Sequence, residues 1–307
     1  MKNKKIIFMG TPDISAKYLN TLIEKNIQIH TVFTQAPKKQ SRGMKLSKTP
    51  VHLLANKKNI NVFHPQNFDI EIINILKKIK PDLIVVMAYG KILPKVILEL
   101  PHYGCINIHV SILPRWRGAA PIEHALMNGD KETGISIIKL IEKLDAGPII
   151  VQKKFIIPEN YNKLELTDNL TKIGTKLLVD VIPRILNDNI KLKIQDEKKA
   201  TYAKKINSIT RKINFNNSMK DIINQIRAHA PKPGAWFFIN KERIKLIDAK
   251  KGTGRGKLST VLNNKFEIGC NDGSIEPLIL QREGKNIVTK EEFLRGYKLK
   301  LGDIINA

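Results

Sequence analysis

The chain has only two cysteines in 307 residues, Cys105 and Cys270, and no CxxC spacing. That excludes a disulfide framework and a zinc ribbon and fits a reducing compartment. Long apolar runs are missing too. The longest, over residues 83–88, is far short of the roughly 20 residues a membrane helix needs. The basic opening leads into an apolar run of four residues, too short for a signal peptide. A cytoplasmic protein with no membrane partner is expected. Aromatics make up 6%, so the core must come from Ile, Leu and Val. Acid is scarce: 28 Asp and Glu stand against 53 Lys and Arg, a net charge of +25, and none lies between Lys25 and Phe68. An enzyme of small neutral substrates does not need that imbalance, which points to a polyanionic partner such as nucleic acid or an anionic surface. Compositional drift in a chain rich in Lys, Asn and Ile is the lesser alternative, accounting for part of it. No GxGxxG follows Gly10, which excludes dinucleotide binding, and the seven His residues show no HExxH-type spacing, so no metal is expected.

What is present suits a globular protein, with 42% hydrophobic residues and a length that suggests two domains. Apolar runs at residues 5–9, 28–34, 60–63, 82–87 and 105–110 read as strands. Helical spacing at residues 14–25, 50–58 and 69–80 alternates with them. This predicts an α/β fold around a Rossmann-like, mostly parallel sheet. Residues 135–141 and 149–157 read as two more strands and 163–186 as a long helix. Residues 187–203 are polar and lack periodicity. Short strand-like segments follow at 235–239, 243–249, 258–262, 265–270 and 275–281, the texture of a small β sandwich or barrel. The expected organisation is a first domain over residues 1–189, a linker over 190–206 and a β-rich domain over 207–307. From Thr201 onward, 21 Lys and Arg face 10 Asp and Glu, so the second domain is the more basic per residue.

The unusual stretch is Gly104-Cys105-Ile106-Asn107-Ile108-His109-Val110-Ser111. On a strand, Ile106, Ile108 and Val110 share one face and Cys105, Asn107 and His109 the other. A buried parallel strand wants apolar residues on both faces. Asn107 and His109 are therefore either a hydrogen-bonded core pair or functional groups near a strand's carboxyl end, where open α/β sheets bind ligands. Cys105 is read as a small core residue. The loop Ser111-Ile112-Leu113-Pro114-Arg115-Trp116-Arg117-Gly118 follows, and Asp145 sits in a turn, Lys143-Leu144-Asp145-Ala146-Gly147-Pro148. By itself Asp145 is most simply a turn residue.

Asn107-x-His109, the string SILPRWRGAAPI and the later LDAG together resemble the signature of folate-dependent formyltransferases, and among them the methionyl-tRNA formyltransferase family. Gly10-Thr11-Pro12, RGMKL at 42–46, AYGKILP at 88–94, YAKKI at 202–206, IRAHAPKPGAW at 226–236 and FLRGY at 293–297 agree, so the resemblance spans nearly the whole chain. It departs from the family's usual residues at Val110, Ile112, 141–143 and 206–215. The resemblance implies a Rossmann-like domain and a C-terminal barrel resembling an OB-fold. It implies transfer of the formyl group of 10-formyltetrahydrofolate to the α-amine of initiator methionyl-tRNA. It also implies a catalytic set of Asn107, His109 and Asp145, and a folate pocket at Tyr89, Gly90, Ser111, Ile112, Leu113 and Pro114. The chemistry suits these residue types. A neutral amine attacks the formyl carbon and charge builds on the formyl oxygen. Asn107 and His109 offer donors to that oxygen, and Asp145 can take a proton or orient His109.

The loop over residues 35–49 carries Lys38, Lys39, Arg42, Lys45 and Lys48 with no balancing acid. A solvated loop is the simplest reading. The family resemblance implies insertion into the acceptor stem of tRNA, with Arg42 in recognition. Lys38, Arg42, Lys45, Lys204, Lys205 and Arg227 are the candidate tRNA contacts, with binding expected to weaken steeply with salt. Three alternatives stand: a formyltransferase acting on glycinamide ribonucleotide or an amino-sugar nucleotide, a non-catalytic RNA-binding protein, and a hydrolase releasing formate from the same donor.

Overall fold

The protein is described as a computed structural model covering residues 4–40 and 45–305. The chain alternates strand and helix from its start. β1 (Ile6–Gly10), α1 (Asp13–Glu24) and β2 (Ile29–Phe33) lead into a short hairpin, β3 (Lys38–Gln40) and β4 (Lys45–Ser47). Then come α2 (Pro50–Lys57), β5 (Asn61–Phe63), α3 (Ile70–Ile79), β6 (Leu83–Met87), α4 (Lys95–Leu98) and β7 (Cys105–His109). β8 (Arg117–Gly118), α5 (Pro121–Met127), β9 (Glu132–Lys139), β10 (Ile149–Ile156), α6 (Lys163–Leu186) and β11 (Tyr202–Ala203) complete the first two-thirds. The rest holds α7 (Met219–His229), β12 (Ala235–Ile239), β13 (Glu242–Lys251), β14 (Ile268–Cys270), β15 (Gly273–Arg282), β16 (Ile287–Thr289) and α8 (Lys290–Gly296).

Two compact units emerge. The first comprises Met1–Gly118, Gly134–Phe155 and Asp168–Tyr202; the second comprises Ala119–Thr133, Ile156–Thr167 and Ala203–Ala307. In the first, seven strands form a sheet in the order β10-β9-β7-β6-β1-β2-β5. The pairs from β7 through β5 are parallel, and β9 runs antiparallel to β7. β1 and β6 are buried at every position, as their unbroken apolar sequences require of strands covered on both faces. Ile7, Met9, Phe33, Ile84, Val86 and Tyr89 pack one core layer against α3 and its neighbours. The order of strands along the chain switches sides between β1 and β6, the place where open α/β sheets usually bind ligands. Here that seam is closed: Thr11 Oγ1 donates to the Tyr89 carbonyl at 2.8 Å, Ser15 Oγ to the Met87 carbonyl at 2.6 Å, and Gln35 Nε2 to the Tyr89 carbonyl at 3.0 Å.

The second unit is built on an antiparallel sheet, β12-β13-β15-β14, with β16 on β15. It curls into a half-barrel whose edges are linked by single bridges, Ile239 to Ile305, Ile304 to Thr260, and Val261 to Ile268. These satisfy edge groups that would otherwise template foreign strands. Phe215, Phe237, Phe266 and Phe293 fill its core, each worth about 1.5–3 kcal/mol on burial. α7 lays Ile222 and Ile226 on this core and is capped by Ser218, which accepts from the Asp221 amide. The segment 258–262, expected as a strand, holds only the isolated bridges of Thr260 and Val261; it spans the gap between sheet edges instead of pairing along its length. No helix among the described residues is long and apolar enough to cross a membrane.

Candidate active site

β7 sets the site. Its parallel pairing with β6 places Asn107 beside Val86, and its antiparallel pairing with β9 places His109 opposite Ser136. The polar face of β7 meets α4 at Cys105. The β9–β10 connection, residues 140–148, brings Asp145 onto it. Asp145 adopts φ 48°, in the left-handed region that costs a non-glycine residue free energy and recurs at functional sites. Its carboxylate is 7% exposed. A buried carboxylate needs donors, and this one has two, with an imidazole nitrogen close by. Asn107 Nδ2 donates to Oδ1 at 3.3 Å, the Gly118 amide donates to Oδ2 at 2.8 Å, and His109 Nδ1 lies 3.5 Å from Oδ2.

The other ring nitrogen fixes the tautomer of His109. Nε2 lies 2.8 Å from the Trp116 carbonyl, which can only accept, so Nε2 carries the proton. Trp116 presents that carbonyl from φ 63°, a second left-handed residue at the same site. The Arg115 guanidinium stacks on the Trp116 ring, its central carbon 4.5 Å from the ring centroid. Cys105 shares the strand but not the chemistry: its thiol points to the Ile97 carbonyl, and burial pushes its pKa up to about 12. It is a core group, without the thiolate a nucleophile requires.

The 111–114 loop is rigid and internally bonded. Ser111 Oγ donates to the Arg115 carbonyl at 2.6 Å, Ser136 Oγ to the Ser111 carbonyl at 2.6 Å, the Leu113 amide to Ser136 Oγ at 3.1 Å, and Gln152 Nε2 to the Leu113 carbonyl at 2.9 Å. Leu113 is buried, while Ile112 and Pro114 are half-buried. Tyr89 turns its ring into the core, so what it can offer a ligand is its backbone; Gly90 is exposed beside it. These two loops follow adjacent parallel strands, β6 and β7, on the edge where Asn107 and His109 lie. The half-buried apolar surface of Ile112 and Pro114 fits a flat heteroaromatic ring. No group of three or more His, Cys, Asp and Glu side chains that could hold a metal occurs among the described residues.

The basic candidates scatter. Lys38 is exposed on β3 and donates to Gln35 Oε1 at 3.0 Å, and Lys45 belongs to β4. Arg42 lies outside the described residues. Lys204 and Lys205 are exposed. Arg227 turns inward instead: it donates to the Tyr161 carbonyl at 2.8 Å, to the Pro158 carbonyl at 3.5 Å and to Asn224 Oδ1 at 3.3 Å, a clamp on its own unit.

Sequence reasoning passed over the residues that hold the site together. Arg117, read as a loop arginine, is fully buried, and Gln195, read as part of a linker, is 6% exposed. The sequence signal for Gln195 was a polar stretch without periodicity after the long helix, and that for Arg117 its place in the Arg-Trp-Arg loop.

Residues 4–182 match the Formyl transferase family and residues 205–298 the Formyl transferase C-terminal domain. The sheet and the Asn-His-Asp site therefore belong to a formyltransferase. Among its relatives, the methionyl-tRNA formyltransferase of Pelagibacter ubique is 40% identical over 305 residues, covering 98% of each chain. That of Brucella melitensis is 38% identical, covering 96% of this chain and 98% of its own. The chain belongs to the methionyl-tRNA formyltransferase family, a family of folate-dependent enzymes. Solved structures share the fold. An N-formyltransferase from Helicobacter canadensis, in complex with folinic acid and dTDP-3-aminofucose, superposes with a TM-score of 0.68 at 24% identity, covering 91% of this chain and 99% of that one. HypX from Aquifex aeolicus in complex with tetrahydrofolic acid gives 0.62 at 15% identity, covering 97% of this chain and 50% of that one.

Proposed function

We propose that the chain formylates initiator methionyl-tRNA at its α-amine, taking the formyl group from 10-formyltetrahydrofolate, with Asn107, His109 and Asp145 as the catalytic residues. The observation that carries this is the convergence of the three side chains on one face of β7, within 3.5 Å of a common carboxylate. The donor supplies an activated one-carbon unit on nitrogen; the chain's residues do the rest. Asn107 Nδ2 has two N–H bonds and Asp145 uses one. The second is free for the formyl oxygen as charge builds there. His109 holds its proton at Nε2 and presents Nδ1 toward Asp145 Oδ2. A proton leaving the attacking amine is then accepted between these two atoms, where the carboxylate stabilises the imidazolium that forms, and it passes to N10 of the departing tetrahydrofolate as the formyl C–N10 bond breaks. Tyr89 and Gly90 by their backbone, with Ser111, Ile112, Leu113 and Pro114, would hold the pterin. Lys38 and Lys45 of the basic hairpin, together with Arg42, Lys204 and Lys205, would meet tRNA phosphates. Arg227 supports the shape of that surface, its donors being engaged by protein oxygens.

The test is formylation of charged initiator tRNA with 10-formyltetrahydrofolate, with elongator and uncharged tRNA as controls and a no-acceptor arm that reads formate release. Asn107→Ala should lower kcat by about 10²–10³, and Asp145→Asn should do comparable damage, with both proteins still folded. Near-normal turnover in either variant, or formate release that outruns transfer, refutes the reading.

A further inference from the structure

The catalytic groups are tied to one another through two residues that touch no substrate in the scheme above. Gln195 Nε2 donates to the Asp145 carbonyl at 2.8 Å and to the Gly147 carbonyl at 2.7 Å, so both of its N–H bonds are spent on the turn that carries the catalytic carboxylate. Its Oε1 accepts from Arg117 Nε at 3.1 Å and from Nη2 at 2.8 Å. Arg117 is fully buried, and the rest of its guanidinium is paired with Glu197, Nη2 to Oε1 at 2.7 Å and Nη1 to Oε2 at 3.1 Å. Glu197 also receives Lys143, from the same turn as Asp145, at 2.6 Å. Arg117, and after it Lys143, hold the Glu197 carboxyl down to about 2, so this pairing is intact throughout the neutral range.

The position of Arg117 in the chain gives these bonds their meaning. The residue before it, Trp116, offers the carbonyl that fixes His109 Nε2; the residue after it, Gly118, offers the amide that binds Asp145 Oδ2. The backbone of residues 116 and 117 is pinned in turn by Thr201, whose Oγ1 accepts from the Trp116 amide at 2.9 Å and whose carbonyl accepts from the Arg117 amide at 2.8 Å. Segment 195–201 thus grips both partners of the His109–Asp145 pair from outside. A fully buried, bidentate arginine costs much desolvation to build, and its retention calls for a geometric purpose.

We infer that Gln195 and Arg117 are positioning residues that set the separation between His109 Nδ1 and Asp145 Oδ2. This rests on the catalytic roles given above for His109 and Asp145. Gln195→Met keeps the side chain's length and removes both donors and the acceptor. Gln195→Glu keeps an acceptor for Arg117 but removes both donors to the turn. Each should lower kcat about 10–100-fold, the scale of a displacement near 1 Å in a reacting constellation, with KM for tRNA and folate unchanged within about twofold. Each should also move the pH profile of kcat, because the atoms that share the transferred proton are shifted. In an Asp145→Asn background, Gln195→Met should cause no further loss, since the group it positions has lost its function. Full activity of Gln195→Met, or a loss that multiplies with that of Asp145→Asn, overturns the inference while leaving the catalytic reading intact. Normal activity of Asp145→Asn alone overturns the catalytic reading instead. Failure of both Gln195 variants to fold, by circular dichroism, also overturns the inference, because it makes the network an element of the fold.

Discussion

Gly147 offers the sharpest test of how the turn geometry serves the site. A Cβ at this position would stand 1.8 Å from the Lys139 carbonyl oxygen and 3.0 Å from its carbon, both backbone atoms. To reach even a 3.0 Å contact with the oxygen, the two must part by about 1.2 Å. Lys139 does not yield readily. It lies in the ladder opposite Ile106, and its amide donates to the Pro148 carbonyl at 2.9 Å. The displacement therefore falls on the 140–148 turn and carries Asp145 with it. A shift of that size costs about 10² in rate, or ~2.7 kcal/mol of transition-state stabilisation. Overpacking adds a loss of about 1–3 kcal/mol in stability. Gly147→Ala should therefore show kcat reduced about 100-fold with KM for the tRNA held within about twofold, measured by steady-state formylation beside thermal denaturation. A variant with kcat within about threefold of the parent and an unchanged melting temperature would refute the claim that this turn places the carboxylate.

Two further outcomes concern stability. Tyr18 Oη is buried without a partner among the described residues and would lie 1.8 Å from a Cβ at Gly174, in the middle of α6. Tyr18→Phe should stabilise by about 1 kcal/mol by removing an unsatisfied hydroxyl. Gly174→Ala should destabilise by about 1–3 kcal/mol and be partly rescued in the double variant; independent, additive effects in denaturant titrations would disprove the contact. His229, at the end of α7, is buried with neither ring nitrogen partnered among the described residues. Burial lowers its pKa to about 4, against a weaker opposing pull from Glu123 and with Lys163, Arg211 and His124 adding to the shift. The unfolded chain thus binds the proton more readily than the native one. Stability is complete above about pH 6.5 and falls by on the order of 3 kcal/mol as the pH drops toward 4. His229→Leu should flatten that slope, and an unchanged slope would show the acid sensitivity to lie elsewhere.

Much of the first unit was written in local pattern. The unbroken apolar runs of β1 and β6 could hardly be anything but covered parallel strands, and the Asn-x-His face of β7 stood out because polar residues break that rule. The small unit was less legible. α7 packs Ile222 and Ile226 behind a Ser218 cap and ends two residues before Pro231, too short a span for its period to stand out. The Thr289–Glu292 capping box is the local signal of α8, whose seven residues are too few to show a helical period. The reach of Asp145 over β7, and the burial of Arg117 and Gln195, follow from contacts between residues 27 to 78 positions apart, which no local period encodes.

The closed seam between β1 and β6 has a consequence for what this sheet can host. Its architecture inherits a slot in which flat nucleotides wedge between strand tips in many other proteins. Thr11, Ser15 and Gln35 have sewn that slot shut, each through a donor given to a carbonyl of Met87 or Tyr89. An intruder would have to strip those acceptors, and at the buried Ser15–Met87 bond no solvent stands ready to replace what is lost. On an immobilised nucleotide-mimic resin, this chain should hold only through its +25 charge and elute with moderate salt.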